Sequence, residues 1–150
     1  MTNDMIREFI ASGQPSAVFE EAGEWLNIHV EASFWKSLAK SLRQSPFDYD
    51  YLFCLTCVDW KSHLSMVYHL SSTLHRHTIV IKVKLDRLEP VVETVCDIWK
   101  TANFMEREVF ELFGVHFTNH PDLRKLILTD DFEGYPLRKD FEDPVNMIRL

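Results

Sequence analysis

The sequence predicts an α+β fold. We expect a two-layer domain with a mixed, mostly antiparallel sheet, helices on one side of it and an extended irregular C-terminal segment. Apolar and polar residues alternate at 64–70 and 79–85, beside an almost wholly apolar stretch at 51–58. Stretches with helical spacing flank these strands and do not alternate with them. The 150 residues suit one domain, with a core at 1–117 and a docking segment at 118–150 that does not fold independently.

Each predicted element follows from its own local pattern. Helices are indicated where apolar residues recur every three or four positions, and strands where they recur every second position. Ser33 is expected to cap the second helix, and Pro90 to begin the third. In chain order the elements are a helix at 4–11, strands at 16–20 and 25–31, a helix after Ser33, strands at 51–58, 64–70 and 79–85, and helices at 90–99 and 103–114.

Composition excludes several classes of function. The chain has 16 basic and 23 acidic side chains, so its net charge of −7 argues against binding nucleic acid. Its 3 cysteines argue against a disulfide framework. The apolar runs are shorter than the roughly 18 residues of a membrane span, so we expect contact with a membrane only through a partner.

The helix predicted at 103–114 has the most complete set of signals. Asn103 is a candidate N-cap, Glu106 completes something close to a capping box, and Gly114 is a natural left-handed C-cap. One face carries Met105, Val109, Leu112 and Phe113, and the opposite face carries Arg107, Glu108 and Glu111. Local physics alone favours a surface helix in which Arg107 and Glu111 form an i,i+4 ion pair.

The segment that follows this helix is polar, rich in turns and without periodicity. Its aromatic and basic residues are interleaved: Phe132, Tyr135, Arg138, Lys139 and Phe141. Such a segment cannot bury large side chains within its own secondary structure, so it must lie across its own domain or across a partner. We favour the partner.

Four motifs then follow one another in a fixed order. They read Glu106-Arg107-Glu108, Glu111-Leu112-Phe113-Gly114, His120-Pro121-Asp122-Leu123-Arg124 and Gly134-Tyr135-Pro136-Leu137-Arg138-Lys139-Asp140-Phe141. Together they resemble the signature of the C subunit of bacterial NADH–quinone oxidoreductase, the respiratory complex I. The resemblance continues upstream through Thr56-Cys57-Val58-Asp59-Trp60, and covers most of the chain.

The resemblance implies a structural protein of the complex, without catalytic residues or cofactors of its own. It would belong to the hydrophilic, quinone-module arm of a complex that transfers electrons from NADH to quinone and translocates protons. NADH, FMN, iron–sulfur clusters and quinone would be bound by partner subunits. The expected neighbours are chiefly the D subunit at the quinone site and the iron–sulfur B and I subunits, and the complex would hold the chain at the cytoplasmic face of the cell membrane.

The motif residues become candidates for contacts with those neighbours. They are Glu106, Arg107, Glu108, His120, Pro121, Asp122, Arg124, Tyr135, Arg138, Lys139 and Asp140. Arginine suits desolvated interfaces, which favours Arg124 and Arg138, although pairing within the chain to acids such as Asp122 or Asp140 is an open alternative. If Arg138 anchors a partner, replacing it by alanine should lower assembly and leave the stability of the chain almost unchanged.

Two alternative functions differ from this one in the electron donor of the complex or in giving the chain catalytic residues of its own. One is the homologous subunit of a membrane-bound hydrogenase or of a quinone oxidoreductase with a different donor. Another is a free-standing metal-dependent enzyme that uses His116 and His120, although Gly114 and Pro121 interrupt the helix that this spacing would need.

The cysteines fit a structural role better than a redox role. Cys54 and Cys57 are three positions apart in a predicted strand, where their side chains point to opposite faces. With only Cys96 remaining, the chain cannot supply four thiolates to a cluster.

Overall fold

The computed structural model of the chain describes residues 2–21 and 23–143. Its helices and strands occur in short groups along the chain, and the longest strands lie in the middle of the chain. They are α1 (Asn3–Gly13), β1 (Val18–Glu20), β2 (Leu26–Val30), α2 (Ala32–Arg43), β3 (Tyr51–Asp59), β4 (Leu64–Ser72), β5 (His77–Leu85), β6 (Val91–Glu93), α3 (Ala102–Phe113) and β7 (His116–Thr118).

A five-stranded sheet in the order β1-β2-β5-β4-β3 forms one layer of the domain. The pairs β1–β2, β5–β4 and β4–β3 are antiparallel, and only β2 and β5 run parallel. The predicted α+β class with a mixed, mostly antiparallel sheet is therefore confirmed. The alternating pattern also fixes the register, because Met66 faces Val83 and Tyr68 faces Ile81 on the same side of the sheet.

One side of this sheet and the three helices enclose the core. Alternate strand residues such as Ile28, Tyr68 and Ile81 are buried there. The helices contribute apolar side chains at helical spacing, including Ile6 and Ile10 of α1, Trp35, Leu38 and Leu42 of α2, and Val109 and Phe113 of α3. The rings of Trp35 and Tyr68 lie 4.6 Å apart between centroids, which ties α2 directly to strand β4 inside the sheet.

The helix predicted at 90–99 is wrong. Val91–Glu93 forms strand β6, which pairs in parallel with β7, and turns follow at 96–98 and 100–101. Val92, Val95 and Trp99 are buried, as their apolar spacing predicts, but the backbone that carries them is irregular and not helical. The β6–β7 pairing is a contact distant in sequence, and it outweighs local helix spacing.

Two predicted helix caps are also wrong. Helix α2 begins after Glu31, whose side chain makes no capping hydrogen bond, and Ser33 lies inside the helix. Helix α3 begins at Ala102, so Asn103 is already helical and Glu106 does not complete a capping box. The C-cap is confirmed, because Gly114 has a φ of 80° in the left-handed region that favours glycine.

The segment after β7 contains turns and bends up to Asp143. It returns to α3 and to the ends of β3 and β5 through hydrogen bonds. The remainder of the predicted docking segment, 144–150, lies outside the described residues. Partner contact by residues 118–150 stays a prediction.

Candidate functional site

The polar face of α3 is buried, contrary to the surface helix predicted from spacing. Arg107 is 7% exposed and Glu111 is 1% exposed. Neither pairs with the other, since each binds the segment that follows β7. The segment lies over this face and removes it from water, which is an arrangement that periodicity within the helix cannot reveal.

Glu111 fixes the backbone of the segment. Its carboxylate accepts hydrogen bonds from the amides of Leu126 at 2.8 Å, Ile127 at 3.0 Å and Leu128 at 3.1 Å. Three consecutive amides directed at one carboxylate make a strong, charge-assisted anchor. Glu111 was not among the predicted site residues.

Arg107 adds a second anchor in the middle of α3. Its Nε donates to the carbonyl oxygen of Arg124 at 3.2 Å, and a terminal nitrogen lies 4.0 Å from the carboxylate of Asp122. The guanidinium also lies 5.6 Å from the ring centroid of Phe104. One buried arginine therefore holds both the segment and an exposed aromatic side chain of the same helix.

Glu106 is fully buried on another side of α3. Its carboxylate accepts hydrogen bonds from the hydroxyl of Thr94 and, at 3.0 Å, from the amide of Val95. Burial raises the pKa of Glu106 to about 7, although these two hydrogen bonds oppose the shift. The residue thus links α3 to the irregular 94–101 stretch that replaces the predicted helix.

This shift predicts a specific dependence of stability on pH. Between about pH 4.5 and pH 7 the folded chain holds a proton on Glu106 that the unfolded chain has lost. The contribution of Glu106 is therefore fully present at low pH and decreases by about 3 kcal/mol as the pH rises to 7. Urea denaturation at several pH values should show this decrease in the native chain and not in Glu106→Gln. Equal pH profiles for the two proteins would contradict the assignment.

His120, Glu106 and Cys96 form a cluster whose ligand atoms lie within 4.8 Å of one another. The Nδ1 atom of His120 accepts the amide of Asp122 at 3.0 Å, so the ring hydrogen lies on Nε2. That nitrogen lies 3.2 Å from the carbonyl oxygen of Asn103, as a donor should. Because the Nδ1 lone pair is used by Asp122 and Nε2 carries a hydrogen, His120 has no free lone pair for Cys96 or Glu106 to share a metal with, and it fits hydrogen bonding better than metal binding.

The second end of the segment is anchored at the C-terminus of α3. Arg138 donates from Nε to the carbonyl oxygen of Phe113 at 2.6 Å and from a terminal nitrogen to that of Arg87 at 3.2 Å. A cation at this end of a helix also complements the helix dipole. The ring of Tyr135 packs so close to Gly114 that a Cβ atom there would come within 2.6 Å of it.

Asp59 completes this anchor from the end of β3. It forms an ion pair with Arg87 and accepts the backbone amide of Lys139 at 2.8 Å. The Arg87 guanidinium holds the pKa of Asp59 well below its usual range. Arg87 also reaches Asp140 at 3.2 Å, which joins the segment to two strand ends.

These contacts change what is expected of Arg138. Its guanidinium satisfies two carbonyl groups of its own chain, so its loss should lower the stability of the chain as well as any assembly. Arg124 is likewise paired within the chain, because its Nε lies 3.0 Å from the carboxylate of Asp122.

The outer side of the same region is apolar and exposed. Its large side chains come from the start of α3 and from the segment: Phe104, Leu126, Ile127, Tyr135 and Leu137. We call these five residues the tail surface. Ile127 is 72% exposed and Phe104 is 61% exposed, which is costly for side chains of this size unless something covers them.

The predicted site residues fall into two groups. Glu106, Arg107, Arg138 and the His120 ring face the interior of the chain, whereas Glu108, Pro121, Asp122, Arg124, Tyr135, Lys139 and Asp140 are exposed. Sequence reasoning missed Asp59, Arg87 and the anchoring role of Glu111. The only available signal was that Asp59 and Glu111 stand within motifs that also carry the resemblance.

The cysteines and histidines considered as candidates for redox or metal chemistry lie in different surroundings. Cys57 lies in the core, and Cys54 lies on the other face of the sheet, in register with His69. This confirms the prediction that the two thiols point apart. His116 is exposed on β7, while the His120 side chain is buried in its own hydrogen bonds.

Within the described ranges, none of the helices has both the length and the apolar character needed to cross a bilayer.

Comparison with known proteins gives a consistent result. Residues 28–145 match the family model described as the 30-kDa subunit of respiratory-chain NADH dehydrogenase. The chain is 46% identical over 103 residues to the NADH-quinone oxidoreductase C/D subunit of Phocaeicola vulgatus, a match that covers 67% of this chain. It is 36% identical over 143 residues to the F(420)H(2) dehydrogenase C subunit of Methanosarcina mazei, covering 91% of this chain and 90% of that protein.

Among solved structures, the chain is similar to one from the membrane-bound sulfane sulfur reductase, an archaeal respiratory membrane complex. The TM-score is 0.76 at 28% identity, and the match covers 93% of this chain and 85% of the other. The chain spans only 20% of the length of the Phocaeicola vulgatus protein, which is named as a combined C/D subunit.

Proposed function

Because the chain belongs to the family of the 30-kDa subunit of respiratory-chain NADH dehydrogenase, we propose that it is a structural subunit of the quinone-module arm of NADH–quinone oxidoreductase. In this role it supports electron transfer from NADH to quinone, coupled to proton translocation, without a catalytic residue of its own. Its contribution is to position other subunits through a rigid surface.

The tail surface is the observation that carries this proposal. Buried charges of the chain hold the segment in place from beneath: Glu111 and Arg107 on α3, and Asp59 at the end of β3. Large apolar side chains are left on the outside, of which Ile127 is the most exposed. A preorganised apolar patch binds a partner without first losing conformational entropy. The inner side of the segment is thus anchored to its own domain, and we propose that its outer side binds other subunits.

Several exposed motif residues extend the tail surface as a polar rim. Glu108 on α3 and Arg124 and Lys139 on the segment are exposed, and we propose that they contact neighbouring subunits. The D subunit at the quinone site and the iron–sulfur B and I subunits are the proposed neighbours. We propose that the chain reaches the cytoplasmic face of the membrane only through them.

We propose that NADH, FMN, iron–sulfur clusters and quinone are bound by those neighbours and not by this chain. The separated thiols of Cys54 and Cys57 support this, as does the hydrogen-bonded state of His120. The alternative of a free-standing metal enzyme needs His116 beside His120. However, His116 is exposed on β7, whereas the His120 side chain is buried.

The proposal is tested by purifying the tagged chain from detergent-solubilised membranes of the cells that produce it. We expect it to co-elute with iron–sulfur subunits and with NADH:quinone reductase activity. Ile127→Glu should lower the assembled fraction about tenfold or more, as for the loss of an interface anchor. Leu74→Glu is the matched control, since Leu74 is equally exposed in the β4–β5 turn. Elution of the native chain alone, or equal effects of both variants, would contradict the proposal.

A second candidate is the corresponding subunit of a complex with another electron donor. The similarity to the C subunit of F(420)H(2) dehydrogenase favours it, as does the similarity to the sulfane sulfur reductase complex. The purified complex separates these candidates, because only the first predicts rapid oxidation of NADH by the co-eluting subunits.

A further inference from the structure

A concave groove occupies the face of the sheet opposite the helices. Its volume is about 670 Å³, and it runs across strands β2, β5, β4 and β3. The residues that line it come from outward-facing strand positions and from both rims, and they include Trp25, Trp60, Val67, Val80, Lys82 and Lys84. None of the anchors of the tail surface lies in this groove.

The floor of the groove is apolar and tightly enclosed. Val67 and Val80 are buried although they point away from the helices. Their burial comes from taller side chains around them, among which Trp25 lies 5.9 Å from the ring of His69. Trp60 stands on the rim and is 57% exposed. A valine floor between two tryptophans has the form of a binding site for an apolar side chain.

The charge of the groove is opposite to that of the whole chain. The chain carries −7 overall, yet Lys82, Lys84 and three histidines line the groove against a single acid, Glu24. Neither lysine forms an ion pair with any residue in the described part of the chain. Burial, and then the nearby Lys82, lower the pKa of His69, so this ring stays neutral at physiological pH.

We propose that the groove binds an acidic segment of a neighbouring subunit, with an apolar side chain on the floor between Trp25 and Trp60 and carboxylates paired with Lys82 and Lys84. This inference rests on the proposed function, since it needs a neighbouring subunit. It adds a second docking surface on the face of the sheet that the helices leave open. Opposite charge favours this occupant over a second copy of the acidic chain.

Zero-length carbodiimide coupling of the purified complex, followed by mass spectrometry, is the direct test. The reagent joins a lysine only to a carboxylate in contact with it. We expect Lys82 or Lys84 to be joined to an aspartate or glutamate of another subunit. Lys40 and Lys100, which are exposed outside the groove, provide the comparison. Links from Lys82 and Lys84 only to this chain or to a second copy of it would overturn the proposal, as would no links from either.

Charge reversal gives an independent measurement. The double variant Lys82→Glu/Lys84→Glu should lower the amount of assembled complex at least tenfold. The double variant Lys40→Glu/Lys100→Glu should change it less than twofold. Equal effects of the two double variants would overturn the groove proposal while the native chain still co-elutes with its complex. Failure of the native chain to co-elute would instead contradict the proposed function.

Discussion

Replacing Glu111 by alanine is expected to lower the free energy of unfolding by about 3 kcal/mol. The substitution leaves the amides of Leu126, Ile127 and Leu128 without their shared acceptor. The segment should then separate from α3 while the sheet persists. Urea denaturation measures the loss, and hydrogen exchange of these three amides should become faster in the variant well below the unfolding transition.

Glu108 provides the matched control, because it is a glutamate of the same helix that is exposed. Glu108→Ala should change stability by less than about 0.5 kcal/mol. Glu111→Gln should lie between the two, since the amide oxygen still accepts but the charge is lost. Equal stability of the Glu111 and Glu108 variants would show that the carboxylate does not hold the segment.

Replacing Phe113 by alanine is expected to cost about 3–5 kcal/mol, the range for a large aromatic side chain removed from a core. Phe113 is buried in the core cluster at the end of α3. Its carbonyl oxygen also receives the Arg138 side chain, so a cavity here disturbs the anchor of the segment. Thermal denaturation followed by circular dichroism measures the effect.

Phe104→Ala is the companion variant on the same helix. The side chain of Phe104 is exposed and belongs to the tail surface. Its removal should leave the unfolding free energy of the chain within about 0.5 kcal/mol of the native value and should lower assembly. A larger loss of stability from Phe104→Ala than from Phe113→Ala would mean that the two faces of α3 have been exchanged.

The strands and the apolar face of α3 could be predicted because their patterns are local. Alternation at 64–70 and 79–85 places the correct side chains in the core, and Gly114 ends α3 as its sequence indicates. The 90–99 stretch could not be predicted in this way. Its apolar residues satisfy helical spacing, but strand β6 pairs with β7, more than twenty positions later.

The polar face of α3 shows why the site was harder to predict than the fold. Arg107 and Glu111 have the spacing of a surface ion pair, and nothing within the helix reveals that another segment covers them. The ligands of Glu111 are backbone amides, which have no sequence signature. Asp59 and Arg87 likewise meet Lys139 only through the tertiary fold.

The family was evident from the motifs, although their physical roles were not. Glu106 resembles a cap in the sequence, yet it is a buried acceptor for Thr94 and Val95. Arg138 resembles an interface anchor, yet it binds two carbonyl groups of its own chain. Several motif residues therefore shape the tail surface from beneath, which is a role that a list of contacts with partners would miss.

Hydroxyl-radical footprinting of the purified complex and of the isolated chain tests most directly whether the tail surface faces other subunits. Oxidation of Phe104, Ile127 and Leu137 should be at least fivefold slower in the complex, while Leu74 reacts at the same rate in both. If Ile127 and Leu137 are oxidised as fast in the complex as in the isolated chain, the segment serves only its own domain, and the account of this chain as a docking subunit is wrong.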